Sequence, residues 1–141
     1  MCIRDRVNIA ARLETACSQY FIDNLVSDSI AKDAQGQFSI RIIDRIKVYG
    51  KETPVAVYEI INDVENTSKE ENDLIKHFEK GFEAYTEGKF SVGLQHFQKS
   101  KYLEIDRGYP STPSDVYISR CKMLEKSPPD NWDGTWSLES K

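Results

Sequence analysis

The chain has 141 residues, of which 39% are hydrophobic and 30% charged, about one domain's worth of sequence. Seven Tyr, six Phe and two Trp supply core-forming bulk, which excludes a disordered tail or a fibrous repeat. Lys and Arg number 19 against 23 Asp and Glu, a net charge of −4, and that balance excludes a broad electrostatic nucleic-acid binder.

Val7, Ala10, Ala11, Leu13, Ala16 and Cys17 recur at three and four, the period of an amphipathic helix from about Val7 to Gln19. The short apolar run Tyr20 to Val26 reads as a strand edge. Ser27-Asp28-Ser29-Ile30 offers an N-cap for a short helix ending near Ala34. Asp33 to Gln37 is a turn, and Phe38 to Val48 carries the partial alternation of a strand. Tyr49-Gly50-Lys51-Glu52-Thr53-Pro54 reverses the chain, and Val55 to Ile61 is a second strand. An antiparallel hairpin is the simplest arrangement of the two. Residues 63–69 are polar and read as a linker between a first unit, 1–62, and a second, 70–141.

The period then becomes helical. Leu74, Phe78, Phe82 and Tyr85 share one face of a helix from about Glu70 to Glu87, with Gly88 placed as its C-terminal cap. Phe90, Leu94 and Phe97 continue on a second helix. A third runs from about Ser114 to Glu125, stopped by Pro128-Pro129. The aromatic stripe Phe78, Phe82, Tyr85, Phe90 and Phe97 reads as the core of this helical hairpin. Trp132 and Trp136 read as packing anchors of an extended tail. The fold class is α+β.

No run of about 18 apolar residues is present, so no stretch reads as a membrane span. The first six residues lack the apolar run of a secretory leader. Cys2, Cys17 and Cys121 are odd in number and without a CxxC spacing. They read as free thiols rather than a disulfide framework or zinc site. His77 and His96 lack metal-ligand spacing.

Asn8 and Arg12 are four apart, one turn along the same face of the first helix. Asn offers a donor and an acceptor, and Arg a planar fork suited to phosphate oxygens. The run Asp5-Arg6-Val7-Asn8-Ile9-Ala10-Ala11-Arg12-Leu13-Glu14 resembles a signature of class III adenylate and guanylate cyclases, Gly-Asp-x-Val-Asn-x-Ala-x-Arg-Leu-Glu. The later run Asp44 to Glu59 resembles the closing hairpin of the same catalytic domain, at the family's usual separation.

The resemblance implies a partial ferredoxin-like domain. It implies that Asn8 positions the ribose of a nucleoside triphosphate. Arg12 then stabilises charge on the phosphoryl group as the 3′-oxygen attacks. The family's hairpin carries Lys-Gly-Lys, with the first Lys on the triphosphate. Here Tyr49 takes that place and Lys51 the second, so the triphosphate contact falls to Lys51. The family holds two metal ions, Mg2+ or Mn2+, on two Asp that lie upstream of the first motif, as do the residues that choose the base. Arg4 stands where the family has Gly, and Met1 to Arg4 do not match it. The expectation is a C-terminal piece of a longer enzyme, inactive alone. It would work as a homodimer in the cytoplasm, held at a membrane only through the missing N-terminal region.

Gly81, Ala84, Tyr85, Gly88, Phe90 and Phe97 resemble one tetratricopeptide-like helix pair, with Gly93 and Ser100 in its small-residue places. Pro128 to Gly134 resembles the ending of bacterial cyclases that carry an extracellular sensor. The competing expectation is a non-catalytic protein-interaction module on a degenerate cyclase remnant.

Overall fold

Two nine-residue segments rich in Ile and Val form the strands, and three longer amphipathic segments form the helices that cover them. The computed structural model describes residues 17–46, 54–104 and 108–135. Among these, the order is a helical turn at 17–20, β1 (Val26–Ser27), α1 (Asp28–Ala34), β2 (Phe38–Ile46), β3 (Val55–Asp63), a 3-10 turn (Val64–Asn66), α2 (Lys69–Thr86), α3 (Phe90–Lys101) and α4 (Pro113–Lys126). The fold is α+β, with a three-stranded antiparallel sheet in the order β1-β3-β2.

Where the sequence suggests a strand from Tyr20 to Val26, only Val26 and Ser27 pair with β3. Tyr20 is still helical. Phe21 then takes a left-handed backbone, φ 61, and the Ile22 N–H reaches back to the Cys17 carbonyl at 3.1 Å. This six-to-one closure ends a helix as a glycine would, at a steric cost of about 1–2 kcal/mol for a residue with a Cβ. Asn24 replaces strand pairing with its side chain. It accepts from Ile60 N–H at 2.8 Å and donates to the Ile60 carbonyl at 3.1 Å.

The β2–β3 hairpin forms as the sequence predicts, with Arg41 opposite Glu59 and Ile46 opposite Val55. A bulge interrupts it: the register passes from Ile42↔Tyr58 directly to Asp44↔Val57. Side chains alternate along a regular strand, so residues three apart face opposite ways. The extra residue, Ile43, resets that parity. Arg41, Asp44 and Ile46 therefore lie on one face with Val57 and Glu59.

That face is covered by the helices. Ser68 caps α2 through a reciprocal box with Glu71. The helix ends at Gly88, φ 82, where Lys89 N–H bonds the Ala84 carbonyl at 2.8 Å. Thr112 caps α4, with Pro113 in its first turn. Tyr117 of α4 sits among the predicted aromatic stripe. Its ring lies 4.9–5.9 Å from Tyr85, Phe78 and Phe82, edge to face, and stacks on Phe97 at 4.8 Å. Trp132 packs on Tyr85 and Phe90 and donates to the Tyr85 carbonyl at 2.7 Å; Trp136 lies outside the described residues. One apolar core runs without a break from Ile43, Ile46 and Val57 of the sheet to Phe78, Phe97, Tyr117 and Leu124 of the helices. Cys121 is buried, and burial pushes its thiol up to about 12.

Two glycines bring α2 and α3 close. A Cβ on Gly81 would stand 2.9 Å from the Phe97 ring, and one on Gly93 3.1 Å from the Gly81 carbonyl oxygen. Phe97 is fully buried and has no free direction to move. Gly81→Ala should therefore lose stability, because overpacking costs about 1–3 kcal/mol against a helix-propensity gain of about 1 kcal/mol. Urea denaturation checks it; an unchanged or raised midpoint would contradict the close packing.

Candidate functional site

Asn8, Arg12 and Lys51, with Tyr49 and Gly50, lie outside the described residues. The structure shows what flanks them. The chain that carries Asn8 and Arg12 leads into the helical turn at 17–20. Lys51 belongs to the connection between Ile46 and Val55, which face each other across the hairpin. Beside these flanks, the buried face of β2 holds two polar clusters.

The first is centred on Arg41, which is fully buried. Its Nε and Nη2 donate to Glu59 Oε1 at 3.2 and 2.5 Å. Nη1 donates to both oxygens of Glu104, which follows α3, at 3.0 Å. Glu104 also accepts from the Ser114 backbone N–H at 3.0 Å and its hydroxyl at 2.6 Å. A carboxylate there meets free amides at the start of α4 and the positive end of its dipole. The guanidinium lies 4.7 Å from the Phe78 ring centre. Burial alone would lower the Arg41 pKa, but Glu104 and Glu59 raise it above the ordinary value, so the cation is kept.

The second cluster is centred on Asp44, also fully buried. Oδ2 accepts from the Tyr20 hydroxyl and, at 2.8 Å, from Arg120 Nη1 of α4. Oδ1 accepts from the Arg45 N–H at 2.7 Å. Arg120 Nη2 donates to the Tyr20 oxygen at 3.0 Å, which closes a triangle. The guanidinium also lies 5.2 and 5.0 Å from the Tyr20 and Tyr117 ring centres. Tyr117 donates its hydroxyl to the Ile43 carbonyl, the bulge residue. Burial first, then Asp44, raises the Tyr20 pKa well above 10.0, so the phenol stays protonated and remains a donor.

Sequence reasoning gave these residues no part in a buried cluster, although a signal was present. Arg41 and Asp44 interrupt an Ile-rich strand, and Arg120 occupies the stripe of Tyr117, Cys121 and Leu124 at three and four. A charge on an apolar face needs a partner there. Chemically the two clusters are buried ion pairs suited to holding elements in place, one cation to two carboxylates at Arg41 and one to one at Arg120. Among the described residues, no group of three or more His, Cys, Asp or Glu is placed to hold a metal ion. Likewise, no helix there is long and apolar enough to cross a membrane.

His77 of α2 and His96 of α3 stack with ring centres 6.4 Å apart. Burial, then Lys99, Lys80 and His77, lowers the His96 pKa.

The sheet with its fitted helices has sequence relatives among adenylate cyclases. Over 124 residues the chain is 28% identical to the terminal-differentiation-specific adenylate cyclase of Dictyostelium discoideum, covering 83% of this chain and 6% of that protein. Over 61 residues it is 36% identical to an adenylate cyclase of Anabaena cylindrica, covering 41% of this chain and 12% of that one. The chain is related to adenylate cyclases and spans a small part of these two. The first match is long enough that it must take in β2, β3, α2 and α3 together. No family model matches the chain, and no solved structure matches it.

Glu104→Gln removes one of the two carboxylates that hold Arg41. Arg41 keeps Glu59, so the loss is that of charge-assisted hydrogen bonds, about 1.5–3 kcal/mol, and thermal unfolding should shift clearly downward. A shift no larger than that of an exposed Glu→Gln control would show that the pair is not buried. For His96, the unfolded chain takes up the proton more readily than the folded one. Stability is complete above the ordinary value of 6.5 and lost as pH falls from there through the lower folded value. Melting temperature should fall as pH drops through and below 6.5, and His96→Gln should flatten that slope. Parallel slopes in the parent and the variant would reject the assignment.

Proposed function

We propose that the chain is the C-terminal part of a class III nucleotidyl cyclase catalytic domain with a tetratricopeptide-like helical extension. The whole enzyme would convert ATP or GTP to a 3′,5′-cyclic nucleotide and pyrophosphate in signal transduction. The observation that carries this is the similarity to two adenylate cyclases in a chain that holds Asn8 and Arg12 in the signature spacing. The antiparallel β2–β3 hairpin supports it, since the family's second motif is a hairpin.

In this reading Asn8 orients the ribose by donating and accepting hydrogen bonds. Arg12 places its charge where the phosphoryl oxygens become more negative in the transition state. Lys51 contributes a point charge to the triphosphate. Metal ions, Mg2+ or Mn2+, would activate the 3′-hydroxyl and bind phosphate. Their ligands belong to upstream sequence, so this chain's own part is substrate orientation and charge stabilisation. The partner is a second catalytic domain, as a homodimer, on the cytoplasmic side.

The test is cyclic-nucleotide synthesis from ATP and from GTP by two proteins: the 141-residue chain and the same chain preceded by its natural in-frame upstream sequence. The longer protein should be active and the chain alone inactive. In the longer protein Arg12→Ala should lower kcat on the order of 100- to 1000-fold, with KM little changed. Product from the chain alone would refute the fragment reading. An unchanged kcat in Arg12→Ala would remove Arg12 from the site. Inactivity of the longer protein would leave a protein-interaction module as the better account.

A further inference from the structure

The proposed catalytic pair, Asn8 and Arg12, stands twelve and eight residues before Tyr20, and Tyr20 is gripped by a residue far along the chain. Arg120 lies 100 residues away in sequence. It reaches Tyr20 and Asp44 together through two nitrogens of one planar group, at 3.0 and 2.8 Å. A lysine would hold the pair less firmly, because its donors sit on a flexible stem rather than in a fixed planar fork. Tyr20 in turn donates to the Asp44 oxygen that Arg120 binds. Three separate elements thus meet at one carboxylate: the turn at 17–20, strand β2 and helix α4. A second tie runs alongside, where Tyr109, just before α4, donates to Asp23 at 2.5 Å.

We infer that Arg120 is a positioning residue, through which the helical extension fixes against strand β2 the turn at 17–20 that follows Asn8 and Arg12 in sequence. The inference rests on the cyclase reading for its consequence, but not for its geometry. Helix α4 is docked independently of this contact. Tyr117 fills the aromatic core, Ser114 binds Glu104, and Cys121 and Leu124 are buried. The extension therefore presents Arg120 from a rigid support. The guanidinium is confined between the Tyr20 and Tyr117 rings, so the contact is directional. A shift of α4 along the sheet would draw Tyr20 with it or break both bonds. This makes the extension a control element for the turn at 17–20, which stands eight residues after the proposed phosphoryl-stabilising arginine in sequence.

Arg120→Lys keeps the charge and removes the fork, which favours a folded variant. Two measurements test it. In the 141-residue chain, amide hydrogen exchange at residues 17–25 should quicken about tenfold, while α2 stays as protected as in the parent. In the protein with its upstream sequence, kcat should fall about 10- to 100-fold with little change in KM, since misplacing a group by about 1 Å costs on that order. Gly81→Ala strains the α2–α3 contact at Phe97, away from Arg120, Tyr20 and Asp44, and should leave kcat within about twofold of the parent, a change far smaller than a misplaced catalytic group causes. Unchanged exchange at 17–25 overturns the inference, as does an equal rise in every element. So does a kcat loss in Gly81→Ala as large as in Arg120→Lys. An inactive parent removes the cyclase reading alone, and exchange at 17–25 then decides the positioning role.

Discussion

A carboxylate that is fully buried must be matched by donors or give up its charge. Asp44 is matched, and its donors come from places the chain does not otherwise bring together. Tyr20 is 24 residues before it and Arg120 is 76 after it. The same requirement acts on Arg41, answered by Glu59 across the hairpin and Glu104 beyond α3. The two clusters lie on one face of β2, three residues apart, so the strand is pinned at two points to the helical layer.

Buried ion pairs are weak sources of net stability, since their desolvation offsets most of their attraction. What they add here is discrimination between ways of docking. Tyr117, Phe78, Phe82, Tyr85 and Phe97 supply the apolar driving force, and aromatic surfaces of similar shape tolerate sliding. Arg41 and Arg120 do not. A helix layer displaced by one turn would part Arg120 from Asp44 and Glu104 from Arg41 in a buried interface. Apolar burial and charge matching thus divide the work between adhesion and registration.

Much of the architecture was legible in local pattern. The period of α2, Gly88 at its end and the stop of α4 before Pro128-Pro129 follow from short-range rules, whereas Ser68, read as linker, caps α2. The hairpin followed from two Ile- and Val-rich runs about a turn. The strand suggested at Tyr20 to Val26 failed because its decisive contacts are not local. Ile22 closes back on Cys17, and Asn24 uses its side chain on Ile60. The clusters were hidden for a related reason. Pattern shows that Arg120 lies on an apolar stripe, but only the fold supplies Asp44 and Tyr20 as its partners. Asn8, Arg12 and Lys51 stood out through resemblance to a family signature, since a polar pair at helical spacing is common on any solvated face.

The bulge at Ile43 has an evolutionary corollary. Strand β2 carries two charges at a spacing of three, and one extra residue turns both inward. Substitutions at Ile43 change only packing volume, whereas its deletion would rotate one charged cluster to the opposite side of the sheet. Lineages descended from such a chain should accordingly vary in residue type along β2 while conserving its length, with insertions and deletions purged there more strictly than amino-acid exchanges.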